Sequence, residues 1–591
     1  MKFNKKRFLS LITNRERILT SLLLILAACL PLLIKTIIFS KELNSLDFET
    51  YPLMISNFDV FFYYKAIFLI STSFFLIAAL IARNKFHKSF ELTAVFLFGF
   101  FVLTSSILSE FRGYTFLGGI ESYQGCLVWL GYLIICLSAS QIRQILNFRL
   151  IVIGILFSSS VLSLVGVLEY FNTDFHEGIL NFFLSSGNHK VNYTPESGIL
   201  SLSYNRNYYS ILIYLGTIIN LVLLLFSSNK KHKILLYITY VMMLINLFGT
   251  ITLAADITYF LSLIVVLFFL RKKIKEHKQK LIIIGSINLV LFFMITNEYG
   301  AAIKVAESSA RFNASTSNSS LKEVRVEGNL LVIEPFQLKP LYLRLDQKNV
   351  KFGSSDLFND NLKIKNNKDT IFIENKGYEH YKFVFKKIKG FTSILLNYEN
   401  LFDYTLVIKD GTFMAINPYT KKIEPIITSK KNDFFNKRTG ILSGRGITWA
   451  LALPVISEKT KLIGYGADSF RHAIPNKDFL SFIKVFGSNP RKLIAAHSIY
   501  LQIAIEFGVL ALFLFLAIIF LYCYHTFRLL INLSFTKWSH YLSLGCFTSV
   551  FGFTMFGFTN SSMISSSVIF WMILGLGIAV NAYNKEVNIN E

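Results

Sequence analysis

Apolar residues in this chain come in unbroken blocks of about twenty, the helical length that crosses a hydrocarbon core of roughly 30 Å. Blocks near 18–39, 65–83, 91–109, 125–141, 149–169, 208–227, 234–253, 256–270, 281–297, 498–523, 541–558 and 563–580 predict about twelve transmembrane helices. The first block is of full spanning length and lacks a cleavable leader pattern, so it reads as an uncleaved anchor. Between about Asn297 and His497 the pattern changes. The runs Leu330–Glu334, Leu341–Asp346, Thr370–Glu374, Lys382–Lys386, Ser393–Asn397 and Tyr404–Ile408 alternate apolar and polar residues over strand lengths. Lys409-Asp410-Gly411-Thr412 carries a two-residue hairpin turn signal.

The pattern therefore predicts an α-helical polytopic membrane protein with a β-rich insert between its ninth and tenth spans. Residues 1–297 carry spans one to nine. Residues 298–427 hold a Ser/Ala/Asn-rich linker (Ala306–Ser320) and a sandwich-like domain over about 320–427. Residues 428–497 read as loops and short helices, and 498–591 carry the last three spans. Chemistry is expected in the 428–497 segment, where loops are held by a rigid scaffold.

Charge fixes the orientation. The formal charge is +24, from 60 Lys and Arg against 36 Asp and Glu. Much of that excess sits in the N-terminus and in short loops at Arg83–Lys88, Gln141–Arg149, Asn229–Lys233, Arg271–Lys280 and His525–His540. All of these fall on one side if the blocks alternate, which places them in the cytoplasm with both termini. The shortest outer turn precedes Asp256; merging the two blocks around it would put the basic Arg271–Lys280 loop outside, so two spans are kept. No nucleic-acid module accompanies the charge, and nucleic acid is excluded as a partner. The five cysteines (Cys29, Cys126, Cys136, Cys523, Cys546) all lie in apolar blocks, so no disulfide can staple the insert. The style of the chain suggests a bacterial plasma membrane.

The segment after the β-rich region carries a series of short motifs. They run Ser443-Gly444-Arg445-Gly446 with Trp449, then Gly464-Tyr465-Gly466-Ala467-Asp468-Ser469-Phe470, then Pro475–Phe479. His497-Ser498-Ile499-Tyr500-Leu501-Gln502 and Glu506-Phe507-Gly508 close the series at a span. Further upstream, Glu121-Ser122-Tyr123-Gln124-Gly125 and Tyr204-Asn205-Arg206-Asn207-Tyr208 each enter a span. Together these elements resemble the O-antigen ligase / O-antigen polymerase (Wzy-type) membrane family. Two departures stand out. Ser498 replaces the usual Asn after the His, and Thr252–Asp256 lacks the Ser-Arg pair found after the seventh span in many members. A second cation must then come from Arg206, Arg112 or Arg491.

The resemblance implies a donor glycan on a polyprenyl diphosphate, an acceptor hydroxyl, and an extracytoplasmic site among membrane lipids. It implies His497 as general base and Arg445 as diphosphate ligand, since a guanidinium fork makes bidentate contacts to phosphate oxygens. Arg206, Asn205, Asn207, Tyr465, Asp468 and Glu506 are the candidate substrate-binding residues. Each has a plainer reading: an interfacial His or Arg anchor, a turn at Gly464–Gly466, a helix-packing Glu506. No cofactor is implied, and with no Asp-x-Asp pair the transfer is expected to be metal-independent. Two rival readings remain, a transporter or flippase for lipid-linked sugars and a sensor. The first is weakened by the lack of an internal repeat, the second by the lack of a cytoplasmic output domain.

Overall fold

The computed structural model describes residues 5–35, 37–38, 58–82, 86–119, 122–171, 198–310, 445–458, 462–474 and 495–589. It also describes 321–426 apart from loop positions 336–338, 347–348, 356–357, 359–361, 368, 377, 389, 399–401 and 417–422. Ser443, Gly444, Glu121, Pro475–Phe479 and Arg491 lie outside the described residues.

A helix lies over each predicted apolar block. Helices α1 (Lys5–Cys29), α2 (Tyr63–Ile81), α3 (Phe90–Ile107), the one-turn α4 (Arg112–Thr115), α5 (Cys126–Ala139) and α6 (Ile145–Phe171) come first. They are followed by α7 (Arg206–Phe226), α8 (Lys230–Gly249), α9 (Leu253–Phe269) and α10 (Ile274–Ala310). After the strands come α11 (Arg445–Glu458), α12 (Ile499–Glu506), α13 (Val509–Asn532), α14 (Trp538–Gly557) and α15 (Ile564–Ile589). Among the described residues eight helices are long and apolar enough to cross a membrane. Two of these, α7 and α15, are buried over almost their whole length and form the centre of the bundle, while α3, α9 and α13 present Phe and Leu side chains outward. A helix apolar all round belongs inside a bundle or a bilayer.

Contacts sort the helix ends into two sets. At the basic end Glu16 accepts from Arg143 N (2.9 Å), Gln144 N (3.0 Å) and Asn147 Nδ2 (2.8 Å), His87 N donates to Gln141 Oε1 (2.8 Å), and Lys280 Nζ donates to Ser227 O (2.8 Å). At the other end Ile199 N donates to Gly249 O (2.9 Å), and Lys65 Nζ donates to Ser565 Oγ (2.9 Å). This second end also bears the strands.

Those strands form two antiparallel sheets. One has four strands in the order β3 (Leu321–Glu327), β4 (Leu330–Pro335), β5 (Leu341–Asp346), β6 (Asn349–Gly353), numbered after the two-residue pair β1 (Ile37–Ile38) and β2 (Phe58–Asp59). The other has seven, running from β7 (Ile364–Asn367) through β8 (Thr370–Ile373), β9 (Tyr381–Ile388), β10 (Phe391–Tyr398), β11 (Phe402–Lys409) and β12 (Thr412–Ile416) to β13 (Ile423–Pro425). All six predicted runs are strands. Lys409 pairs Thr412 across a turn whose central residues, Asp410 and Gly411, have φ of 52° and 73°, the type I′ geometry that matches strand twist. Strands β1, β2, β3, β6, β7 and β13 were not foreseen; β1 lies within the block expected as the first span, 18–39, whose helix ends at Cys29, and β7 is exposed on both faces and so lacks alternation.

Alternate residues of the two sheets meet in one core. Val324, Leu331, Ile333, Leu341 and Leu343 lie in the same buried cluster as Phe383, Ile394, Leu396 and Leu406, each worth about 1.5–3 kcal/mol relative to exposure. That cluster also includes Phe111, Leu451, Phe470, Ala496 and Ile505, so the sandwich is packed onto the segments around the motifs.

Two sequence expectations are corrected. The linker was expected to begin at Ala306, but α10 continues to Ala310, thirteen residues or about 20 Å beyond the expected span end at 297. The expected tenth span, 498–523, is broken at Phe507-Gly508 into α12 and α13. Gly508 has φ +97°, and a Cβ there would lie 2.6 Å from Leu462 O. A Cβ on Gly464 would lie 2.3 Å from the Glu506 carbonyl. The two backbones touch, and the carbonyls freed at the end of α12 are taken by loop amides: Tyr465 N to Ile505 O (2.9 Å) and Gly466 N to Glu506 O (2.8 Å). Phe507, at the break itself, is packed between the rings of Trp129 (5.1 Å) and Phe98 (6.0 Å).

Gly508→Val should therefore lower thermal stability in detergent by about 2 kcal/mol or more, since a β-branched residue fits neither the left-handed backbone nor the space. Gly285→Ala, where a Cβ meets nothing within 4 Å, should leave the unfolding temperature within a degree or two or raise it.

Candidate active site at the insert end of the central helices

The central helix α7 begins at Arg206. Its N-cap is Asn205, whose side chain accepts from Asn207 N at 2.8 Å, so Asn205 caps the helix that carries Arg206. The approach to the cap is fixed by a buried carboxylate. Glu169 accepts from Leu200 N at 3.1 Å and Ser201 N at 2.7 Å, and Ser201 Oγ donates to Leu162 O at 2.8 Å.

Arg445 opens α11, and its Nη2 donates to Asn560 Oδ1 at 3.3 Å. Asn560 is buried in the turn between α14 and α15. Burial pulls the Arg445 pKa down and the nearby Arg206 guanidinium pulls it further, while Tyr208 opposes them. A guanidinium so perturbed is still a cation at neutral pH. The N-termini of α7 and α11 are thus brought near one another with two arginines, beside the turn between α14 and α15, and the unsatisfied amides and dipoles of helix N-termini favour anions.

One turn along α11, Trp449 Nε1 donates to Ala496 O at 3.2 Å. This fixes the peptide just before His497, whose backbone is left-handed with φ 49°. His497 is partly buried, and its pKa is pushed down to about 4, first by burial and then by Arg445. Its imidazole is neutral at pH 7, and the guanidinium of Arg445 lies close enough to hold it so.

The remaining sequence candidates are held differently. Asp468, φ 54°, is buried and accepts from Gly119 N at 2.8 Å and Ser122 Oγ at 2.5 Å, and it also meets the Gln124 backbone amide. Arg471 Nη2 donates to the same Ser122 Oγ at 2.8 Å. Burial raises the Asp468 pKa against these partners. Its lone pairs are spent on tying the 119–124 segment to the 464–470 loop. Glu506 is fully buried at the end of α12, where Gln502 Nε2 donates to it at 3.3 Å and the amides of Asp468 and Phe470 point at it. It braces the same loop and, among the described residues, meets neither His497 nor an arginine. Tyr465 is buried in the sandwich-side core, and Ser109 Oγ donates to its carbonyl.

Arg206, Arg445 and His497 are therefore brought together; Asn205 and Asn207 form the cap beneath Arg206; Asp468, Glu506 and Tyr465 belong to the bracing beside them. Of the two described candidates for a second cation, Arg206 and Arg112, Arg206 is the one whose field reaches Arg445. Sequence reasoning missed Asn560, although Thr559-Asn560-Ser561-Ser562 is a polar run between two apolar blocks and could have drawn the eye. Glu169 had no local signal, because its partners lie 31 and 32 residues away.

A family model described as O-antigen ligase matches residues 401–516, and this segment is assigned to that family. The match runs from the β11–β12 hairpin into α13 and contains Arg445, Trp449 and His497. No curated protein and no solved structure matches the chain. The family and the apolar helices together support a membrane protein with a ligase- or polymerase-type function in polysaccharide assembly.

Asp468→Ala should cost about 3 kcal/mol or more, because it leaves buried donors without an acceptor. The check is the unfolding temperature and monodispersity of the purified variant. A carboxylate that served only to bind substrate would leave both unchanged.

Proposed function

We propose that this protein transfers a polyprenyl-diphosphate-linked saccharide to an acceptor hydroxyl on the extracytoplasmic face of the membrane. On this reading all twelve helical blocks cross the bilayer, both termini are cytoplasmic, and the insert and site lie outside. The observation that carries it is the grouping of Arg206 and Arg445 at two helix N-termini with the neutral imidazole of His497 beside them.

The chemistry follows from that grouping. Two guanidiniums near one another repel, and an arriving diphosphate relieves the repulsion while being held by charge-assisted contacts. His497 takes the acceptor's proton as its oxygen attacks the anomeric carbon. The bond from that carbon to the diphosphate oxygen breaks, and the electron pair leaves on the lipid diphosphate. Arg206, Arg445 and the helix N-termini stabilise the growing charge. Asn560 and Trp449 act at one remove, the first on Arg445 and the second on the peptide preceding His497. A flippase needs the cations but has no use for the imidazole. The sandwich and the cytoplasmic loops offer nothing that favours a sensor.

Substituting His497→Ala and Arg445→Ala in the native cell, at equal protein level, should each reduce transfer by 10²-fold or more, in line with about 10²–10⁴ for a lost general base. Lipid-linked single units accumulating would mark a polymerase, and intact polymer stranded on its carrier would mark a ligase. Parental glycan in both variants would sink the assignment.

The pH profile carries a second expectation. In the free enzyme His497 is protonated only as pH falls towards about 4, so the acid limb of kcat/KM should lie well below the 6.5 of an ordinary imidazole. Bound diphosphate screens Arg445 and favours the imidazolium, so the acid limb of kcat should lie at higher pH. Coincident limbs near 6.5 would contradict a buried imidazole beside Arg445.

A further inference from the structure

At the basic end, far from the site, α9 and α13 finish side by side around a cavity of about 360 Å³, a size that holds a small polar ligand. Its wall includes Arg271, Lys272 and Lys273 from the turn after α9, and Asn532 and Ser534 from the end of α13. The charges around it can be set against one another. The carbonyl ends of α9 and α13 each bring about half a negative charge. Arg271 answers the first directly, its Nη1 donating to Phe268 O at 3.2 Å. Lys273 pairs with Glu276 at 2.6 Å. Lys272 is exposed and meets no acidic partner among the described residues. With Arg271 satisfied by a carbonyl rather than a carboxylate, both cations keep their charge for an anion.

The surface beneath is apolar. Leu267, Phe268, Phe527 and Ile531 are exposed on the outer faces of the two helices, and Phe268 stacks on Phe527 with centroids 6.3 Å apart. The guanidinium of Arg271 lies over the Phe268 ring at 4.5 Å, at the seam between the charged and apolar parts. A free phosphate would use only the upper half of this arrangement. A molecule with a phosphodiester at one end and hydrocarbon chains at the other uses both.

We propose that this cavity binds the headgroup of an anionic glycerophospholipid, with the phosphodiester at Arg271 and Lys272, headgroup hydroxyls at Asn532 and Ser534, and acyl chains along Phe268, Phe527 and Ile531. Basic pockets between membrane helices on the cytoplasmic side suit such headgroups. The inference rests on the protein lying in a membrane and not on the reaction proposed above. The bound lipid joins the turn after α9 to the end of α13, across a cleft that Phe268 and Phe269 bridge to Phe527.

The test is native mass spectrometry of the full-length protein in detergent, titrated with dioleoyl phosphatidylglycerol, dioleoyl phosphatidylcholine or soluble glycerol 1-phosphate. The wild type should retain phosphatidylglycerol over phosphatidylcholine by at least about fivefold, as one or two interfacial cations supply. Arg271→Gln with Lys272→Gln should abolish the preference. Lys275→Gln with Lys278→Gln, which removes equal charge from exposed positions outside the cavity wall, should keep it. Because Arg271 also caps α9, Lys272→Gln alone is the companion variant and should lose at least half of the preference with an unchanged unfolding temperature. Three outcomes overturn the proposal: no headgroup preference in the wild type, equal loss in both double variants, or glycerol 1-phosphate binding as tightly as the lipid.

Discussion

Two guanidiniums held near each other in a partly buried place, with an imidazole alongside, form a like-charge cluster that the chain must assemble before any substrate arrives. Arg206 disfavours the charge on Arg445, and the burial of Arg445 removes water that would screen it. Such a cluster persists only if its carriers are rigid. Arg206 is the first residue of a helix buried over nearly all its length. Arg445 begins another helix and is held by Asn560 at the foot of the second central helix. The amide ends of the helices that begin at Arg206 and Arg445 add positive potential beside the two guanidiniums.

The acids around the site are used in a different way. Asp468, Glu506 and Glu169 are all buried, and each spends its oxygens on backbone amides or a hydroxyl of neighbouring segments. Asp468 joins the segment before α5 to the loop before His497; Glu506 holds that loop from the other side; Glu169 fixes the approach to Arg206. A carboxylate set free among the arginines would compete with a diphosphate for the same guanidinium forks. The division is therefore physical: the acids bind the scaffold together, and Arg206, Arg445 and His497 are grouped apart from them.

The broken helix α12–α13 is part of this arrangement. A continuous span would carry Glu506 into the bilayer, where an unpaired acid is costly. The break at Gly508 turns the last carbonyls of α12 towards the amides of Tyr465 and Gly466 and sets His497 at the start of a short helix rather than of a long one. The sandwich core runs on into Ala496 and Ile505, so the β-rich insert and the loop bearing His497 are one packed body.

Periodicity and block length were sufficient for the elements. Twenty-residue apolar blocks admit only helices where backbone groups must be satisfied internally, and strict alternation with Asp410-Gly411 admits only a hairpin, so the apolar helices, six of the strands and the β11–β12 turn were legible, while the break at Gly508 and the extension of α10 were not. The motif residues Arg206, Arg445 and His497 could be singled out because the short motifs around them resemble those of the O-antigen ligase / O-antigen polymerase family. What one dimension could not hold was which polar side chains would find each other. Asp468 and Glu506 looked like ligands because their partners, the amides of Gly119, Gln124 and Phe470, carry no side-chain signature; Asn560 went unnoticed because the guanidinium it meets is 115 residues away. Backbone donors are the same at every position, so only the tertiary fold decides which carboxylate they consume and which cations remain for chemistry.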